Sequence, residues 1–414
     1  MTFNVEAVRA EFPGIARAAD RVFFDNPAGT QIAGRAIERM MGAMTEANAN
    51  LGGYFDTSLR AGELVEEARQ TAAAFLDAPS PDEIVFGQSM TALTFAISRA
   101  LGTTMKAGDA VLLTRMDHDA NVAPWLEMAE ERGLEIRWLD FDPDTCEFDM
   151  AALDRLADER LKLAAVNFAS NVTGTINDVG AIASRVRAAG GFTYVDAVQF
   201  APHGVIDVQA LGCDFLVCSG YKFFGPHCSI LWGRAELLDA LPARKVRPAP
   251  DQGPGKWEQG TQSRELIAGV AGAIEHFAWL GDRFGGTRGA ASLRERITAG
   301  LRAADAYERA LTKTLIEGLS TFEGLRIHGL SASQMLGRRV PTVSFTLQDR
   351  SPHEIARAMA ERRIQVWSGH NYGIEPVRRL GLDLESGVLR VGLAHYNTAE
   401  EVARFLEALG DVAG

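Results

Sequence analysis

From about residue 80 to 235, short apolar runs alternate with segments of helical periodicity. The runs at 84–86, 110–113, 135–139, 163–168, 192–195, 215–218 and 229–232 read as strands, and most are separated by helical stretches. One such stretch, 179–189, puts Val179, Ile182, Ala183 and Val186 on a single face. Strands apolar on both faces belong in a mainly parallel sheet covered by helices. The last two lack an intervening helix, so one strand is expected to run antiparallel. The pattern then changes. A Pro- and Gly-containing segment (242–255) leads into two long helices, 263–283 and 292–321. Strands at 325–328 and 342–347, a helix at 352–362, strands at 365–367 and 388–394 and a helix at 399–409 follow. We therefore expect a large α/β domain over 21–285 and a smaller α+β domain over 286–414, which the segment 1–20 joins.

The chain has 414 residues, enough for two domains and a large core. Its net charge of −12 argues against a nucleic-acid or anionic-membrane partner, which would require a clustered positive surface. No apolar run approaches the roughly 18 residues of a membrane span. Four cysteines (Cys146, Cys213, Cys218, Cys228) are too few for a disulfide framework, so a reducing, cytoplasmic setting is the expectation. No metal-ligand spacing stands out. Only six lysines occur, at 106, 162, 222, 245, 256 and 313, so any lysine chemistry must come from this short set.

In an open α/β sheet, ligands sit beyond the carboxyl ends of the strands. Ser89, Met90 and Thr91 follow the first strand and open a helix, the arrangement of a phosphate site and equally of a plain N-cap. His118 follows the second strand and can stack on a flat ligand or remain a solvated loop group. Asn171, before Gly174, can donate to a ligand oxygen or serve turn chemistry. Asp196 ends a strand, where a buried carboxylate needs a cation or donor; a helix-capping role is the alternative. Ser219, Tyr221 and Lys222 follow the next strand. Desolvation between that strand and Phe223-Phe224 would make Lys222 nucleophilic, whereas a snorkelling lysine is the bland reading. Jointly these positions form the inventory for holding pyridoxal 5′-phosphate (PLP) on a lysine.

The sequence resembles the PLP-dependent class V aminotransferase family of fold type I, and within it the cysteine desulfurase/selenocysteine lyase branch. The stretches that carry the resemblance are Phe24-Asp25-Asn26-Pro27-Ala28-Gly29, His118 with Ala120-Asn121, Ser170-Asn171-Val172-Thr173-Gly174-Thr175, Val195-Asp196-Ala197-Val198-Gln199, Ser219-Gly220-Tyr221-Lys222, Gly260-Thr261, and Arg390 followed by Tyr396-Asn397-Thr398. It implies a mainly parallel seven-stranded sheet sandwiched by helices, and a homodimer with active sites at the interface. It also implies roles. Lys222 binds PLP covalently and moves protons. Asp196 pairs with the pyridine nitrogen, Gln199 and Asn171 contact the ring oxygen side, and His118 stacks on the ring. Ser89, Met90, Thr91, Ser219 and Tyr221 hold phosphate, and Thr261 reaches it from a neighbouring subunit. Arg390 takes the substrate carboxylate, with Asn26 and Ala28 at the substrate mouth.

Two departures bear on the reaction. Tyr221 stands where the family usually has histidine. In the segment Ser368-Gly369-His370-Asn371-Tyr372-Gly373, Tyr372 occupies the place of the desulfurase nucleophilic cysteine, and no cysteine occurs in the last 186 residues. A phenol cannot accept and hand on sulfane sulfur. The expectation is therefore a desulfurase-like subgroup acting on a small amino acid. The leading reaction is β-elimination of the C–S lyase type. Transamination, epimerisation with Tyr372 and His370 as second acid, and PLP binding without turnover are the alternatives.

Overall fold

The computed structural model describes residues 2–18, 20–287 and 291–413. In chain order its strands are β1 (Val22–Phe23), β2 (Ile84–Gly87), β3 (Ala110–Thr114), β4 (Glu135–Leu139), β5 (Leu161–Asn167), β6 (Phe192–Asp196), β7 (Phe215–Ser219) and β8 (Ser229–Gly233). Next come β9 (Leu325–His328), β10 (Thr342–Leu347), β11 (Ile364–Gln365), β12 (Trp367–Gly369) and β13 (Val388–Gly392). All seven strands expected from the apolar runs join one sheet, in the order β2-β8-β7-β6-β5-β3-β4. β8 runs antiparallel to both of its neighbours, and the other pairings are parallel. Residues of β3, β5 and β7 are buried throughout or almost so, which explains why these strands read as continuous apolar runs rather than alternating ones.

Two helices absent from the strand–helix reading, Gly34–Glu46 and Asp56–Leu76, pack with the long helix Arg264–Phe284. A second sheet, β12-β13-β10-β9, is antiparallel and has its own core of Leu311, Leu315, Val343, Phe345, Leu389, Val391 and Phe405. β1 pairs with β11, and Val22 and Phe24 enter that smaller core. Val8, Phe12 and Ile15, earlier in the chain, pack instead into the core of the large sheet, and Arg9 reaches Glu401 at 2.9 Å. The N-terminal segment thus touches both layers. The turn after β5 meets the smaller sheet at Gly174, whose φ is +75° and where a Cβ would lie 2.4 Å from the Thr342 carbonyl oxygen. Only glycine allows that approach.

Candidate active site

The carboxyl ends of β5, β6 and β7 open into a cavity of about 840 Å³ that the smaller sheet closes from the side. Ser89, Met90, Thr91, His118, Asn171, Asp196, Gln199, Ser219, Tyr221, Lys222, His370, Tyr372, Arg390 and Ala28 all line it. Residues far apart in sequence meet because most close a strand or follow one, while Arg390 is presented from within β13.

Lys222 lies in a single 3₁₀ turn (Gly220–Lys222) directly after β7. Its Nζ donates to the Pro27 carbonyl and lies 5.1 Å from the Tyr221 ring centroid. Burial, and next the Arg390 charge, push its pKa down to about 7, while Asp196 pulls the other way. Asp196 ends β6 and accepts a bond from the Val198 amide at 2.8 Å. Its pKa rises to about 6, because burial outweighs that bond and the attraction of Lys222. Amine and carboxylate therefore share one desolvated space and sense each other's charge.

The His118 loop is fixed from behind. Asp117, fully buried, is bonded by Thr114 and by Asn121 Nδ2 (2.7 Å), and Asn121 in turn accepts from Trp125 Nε1 (3.1 Å). Burial, then the Lys222 and Arg390 charges, lower the His118 pKa to about 3, so the ring is neutral. Its Nδ1 accepts from the Ala120 amide at 3.0 Å. The Tyr372 ring lies parallel to it, 5.5 Å away at 16°. His370 Nδ1 accepts from the Tyr372 amide at 3.0 Å.

At the opposite end, Ser89 caps the helix Met90–Gly102 by accepting from the Ala92 amide (3.1 Å), which leaves the first-turn amides and the positive helix end toward the cavity. Ser219 bonds Ser229 at 2.9 Å, and the Tyr221 ring stacks on His227 at 4.7 Å. Arg390, buried on β13, donates Nη1 to the Asn171 carbonyl at 3.0 Å, and its Nε has no partner. The Asn171 amide donates to the Asn371 carbonyl (2.8 Å), and its buried Oδ1 is likewise without a partner. Gln199 Nε2 is committed to Thr342 Oγ1 at 2.9 Å.

One expected residue stands elsewhere. Asn26 does not face the mouth. Its amide donates to the Phe23, Gly392 and Asn397 oxygens and its Oδ1 accepts from Tyr396, so the side chain is consumed in joining the first strand to the smaller sheet. Thr261 lies outside the cavity, exposed in a separate groove with Asn50, Leu51 and Val246. Several lining residues carried no signal in the sequence: Phe95, Asn167, His353, Trp367 and Glu385. Of these only Asn167, ending β5, could have been found by the strand-end rule. All four cysteines are buried and none lines the cavity.

A helix N-terminus with hydroxyls at one end, a buried carboxylate and an amine at the centre, and two unpartnered buried polar atoms (Asn171 Oδ1, Arg390 Nε) suit a phosphorylated pyridine aldehyde and a carboxylated substrate. The residues present fit PLP. The sheet order and this site define a fold-type I PLP protein.

Comparison with known proteins gives the family. The aminotransferase class-V family matches residues 22–405, and the chain belongs to it. Aminotransferase-like protein FGM3 of Gibberella zeae is 33% identical over 417 residues, 99% of this chain and 98% of that protein. A cysteine desulfurase of Serratia proteamaculans is 31% identical over 421 residues, with the same two coverages. The apo structure of a cysteine desulfurase from Thermococcus onnurineus NA1 superposes with a TM-score of 0.88 at 26% identity, covering 100% of this chain and 98% of that one. The chain is accordingly a cysteine desulfurase-like, PLP-dependent enzyme of class V.

Proposed function

We propose that the enzyme is a lyase that removes the β-substituent of an amino acid and releases the leaving group to solvent rather than holding it on the protein. The observation that carries this reading is the cavity lining. It holds a desolvated amine, a carboxylate and an unpartnered guanidinium Nε, but no thiol. Burial raises the pKa of Cys146, Cys213 and Cys228 to about 12 and pushes Cys218 up as well, so none is a ready thiolate.

Bound PLP supplies an electron sink that acidifies the substrate Cα–H. Lys222, with its pKa near 7, takes that proton at Nζ. Asp196 would pair with the ring nitrogen, Asn171 and Gln199 would contact the ring oxygen side, and neutral His118 would stack on the ring. Ser89, Met90, Thr91, Ser219 and Tyr221 would hold its phosphate. Arg390 grips the substrate carboxylate as a fork, with Ala28 at the mouth. Tyr372 and His370 stand beside the leaving group. The balance is amino acid plus water giving pyruvate, ammonium and the protonated leaving group. The Cα proton and the Cβ–substituent bond are lost, and the electron pair departs with the substituent. The homodimer belongs to the same proposal: Met41, Met44, Leu51, Tyr54, Phe55 and Leu59 are all exposed, and Thr261 would reach a neighbour's phosphate.

Transamination is the second reading, favoured by the likeness to the Gibberella aminotransferase-like protein. The test incubates holoenzyme with an amino-acid panel, with and without a keto acid, and identifies products by mass spectrometry. Pyruvate and a free leaving group without added keto acid are expected. Turnover that requires the keto acid overturns the lyase in favour of the transferase.

A further inference from the structure

In the smaller sheet, Trp367 on β12 lies directly opposite Arg390 on β13. Directly opposed residues of an antiparallel pair project to the same face, with Cβ atoms roughly 5 Å apart. Both side chains line the cavity, yet Arg390 is buried while Trp367 is 50% exposed. The indole therefore stands beside and outward of the guanidinium. Tyr372, 68% exposed, adds a second ring at the mouth. Its backbone and that of Asn371 are left-handed (φ 56° and 52°), a conformation that asparagine tolerates and an aromatic residue avoids. Three contacts hold that turn: Asn171 Nδ2 to the Asn371 carbonyl, the Asp119 amide to the Tyr372 carbonyl (both 2.8 Å), and the Tyr372 amide to His370. Phe95, from the second turn of the helix Met90–Gly102, supplies a third ring. A strained, well-anchored turn that presents aromatic surface to a cavity mouth implies a ligand for that surface. A cysteine-sized side chain would leave the Trp367 and Tyr372 rings in water. Asp119 and Glu385 also line the cavity, and among the described residues Lys222 and Arg390 are its only lysine and arginine.

We propose that the substrate is an amino acid whose β-substituent ends in a flat, neutral or cationic ring, received by Trp367 and Tyr372 while Arg390 holds the carboxylate. This inference rests on the reading that the site takes an amino acid through Arg390. Trp367 is a specificity-determining residue in it, not a catalytic one.

The test titrates holoenzyme with S-benzyl-, S-methyl- and S-(4-carboxybenzyl)-L-cysteine, following the absorbance of the bound cofactor for affinity and pyruvate for turnover. S-benzylcysteine should bind about tenfold more tightly than S-methylcysteine, the scale of one aromatic pairing plus ring burial. The carboxylated ring should lose that advantage. Trp367→Ala should erase the benzyl preference and leave S-methylcysteine within about twofold, and Trp367→Phe should restore part of it. Equal affinity for the benzyl and methyl compounds, or an equal loss for both in Trp367→Ala, overturns the proposal while the amino-acid reading stands. No response to any of the three, with Arg390→Ala also silent, overturns the amino-acid reading and this inference with it.

Discussion

The ionisation of Lys222 offers the sharpest check on the site. Burial and the Arg390 charge hold its pKa at about 7 rather than 10.5. At pH 8 an amine with that pKa is roughly 90% neutral, against ~0.3% for an ordinary lysine, so the share of amine able to attack the PLP aldehyde should be about 300-fold larger than for a free lysine. The assay mixes apoprotein with PLP between pH 5.5 and 9.5 and measures the initial rate of borohydride-reducible cofactor. Rates for N-acetyl-lysine under the same conditions divide out the cofactor's own titration. The rate should climb to a plateau with its midpoint near 7. The neighbours fix the direction of two further shifts. Arg390→Met removes a like charge, so the midpoint should move up. Asp196→Asn removes an attractive charge, so it should move down. A rate still rising at pH 9.5, or a midpoint that rises in Asp196→Asn, refutes the placement of this amine in a desolvated space shared with those two groups.

Other outcomes follow from the same geometry. Lys222→Ala should retain the fold by circular dichroism, yield no borohydride-reducible cofactor, and lose roughly 10²–10⁴-fold in kcat, the range for removing a positioned proton-transfer group. Arg390→Ala should raise KM about 30-fold or more with PLP still bound, since truncating one partner of a buried charge pair costs at least about 2 kcal/mol; unchanged kinetics would move the carboxylate site elsewhere. Tyr372→Phe should leave PLP affinity intact, and a drop in kcat with KM held would assign its hydroxyl to the leaving group. Acid stability should depend on the buried pair His276 and His395, whose Nε2 atoms lie 2.9 Å apart beside Glu308, His203 and Arg35. Burial lowers both histidine pKa values, so the unfolded chain takes up protons below about 6.5 that the folded one refuses. Each histidine then subtracts stability as the pH falls below about 6.5, a loss absent above that pH. His276→Gln should flatten the fall of the urea midpoint between pH 7.5 and 5.5, and a parallel fall in variant and parent would refute this.

What the sequence reveals and what it conceals have a common physical cause. A strand buried on both faces must be apolar, so the strands of the large sheet stand out as runs, except β4, which lies at the sheet's edge with Glu135 exposed. A residue that ends or closely follows such a strand is polar only for a reason, which is why Asp196, at the end of β6, and Asn171 and Lys222, in the turns after β5 and β7, stand out along the chain. The wall contributed by the smaller sheet has no such contrast. Trp367 reads as one more apolar residue near an edge strand; its significance lies in the register with Arg390, a pairing 23 positions away along the chain. Asn26 fails in the opposite sense. Its neighbours Pro27 and Ala28 do line the cavity, but the sequence cannot say that the Asn26 amide is spent on Phe23, Gly392 and Asn397. The helices Gly34–Glu46 and Asp56–Leu76 carry exposed Met41, Met44 and Leu59, apolar side chains that their packing against the large domain does not use. The same exposure is what a neighbouring subunit would cover. If light scattering finds a homodimer in which Leu59→Glu breaks the assembly, these residues are apolar for the interface and not for the fold. A stable monomer that retains full PLP affinity would remove Thr261 from the cofactor site altogether.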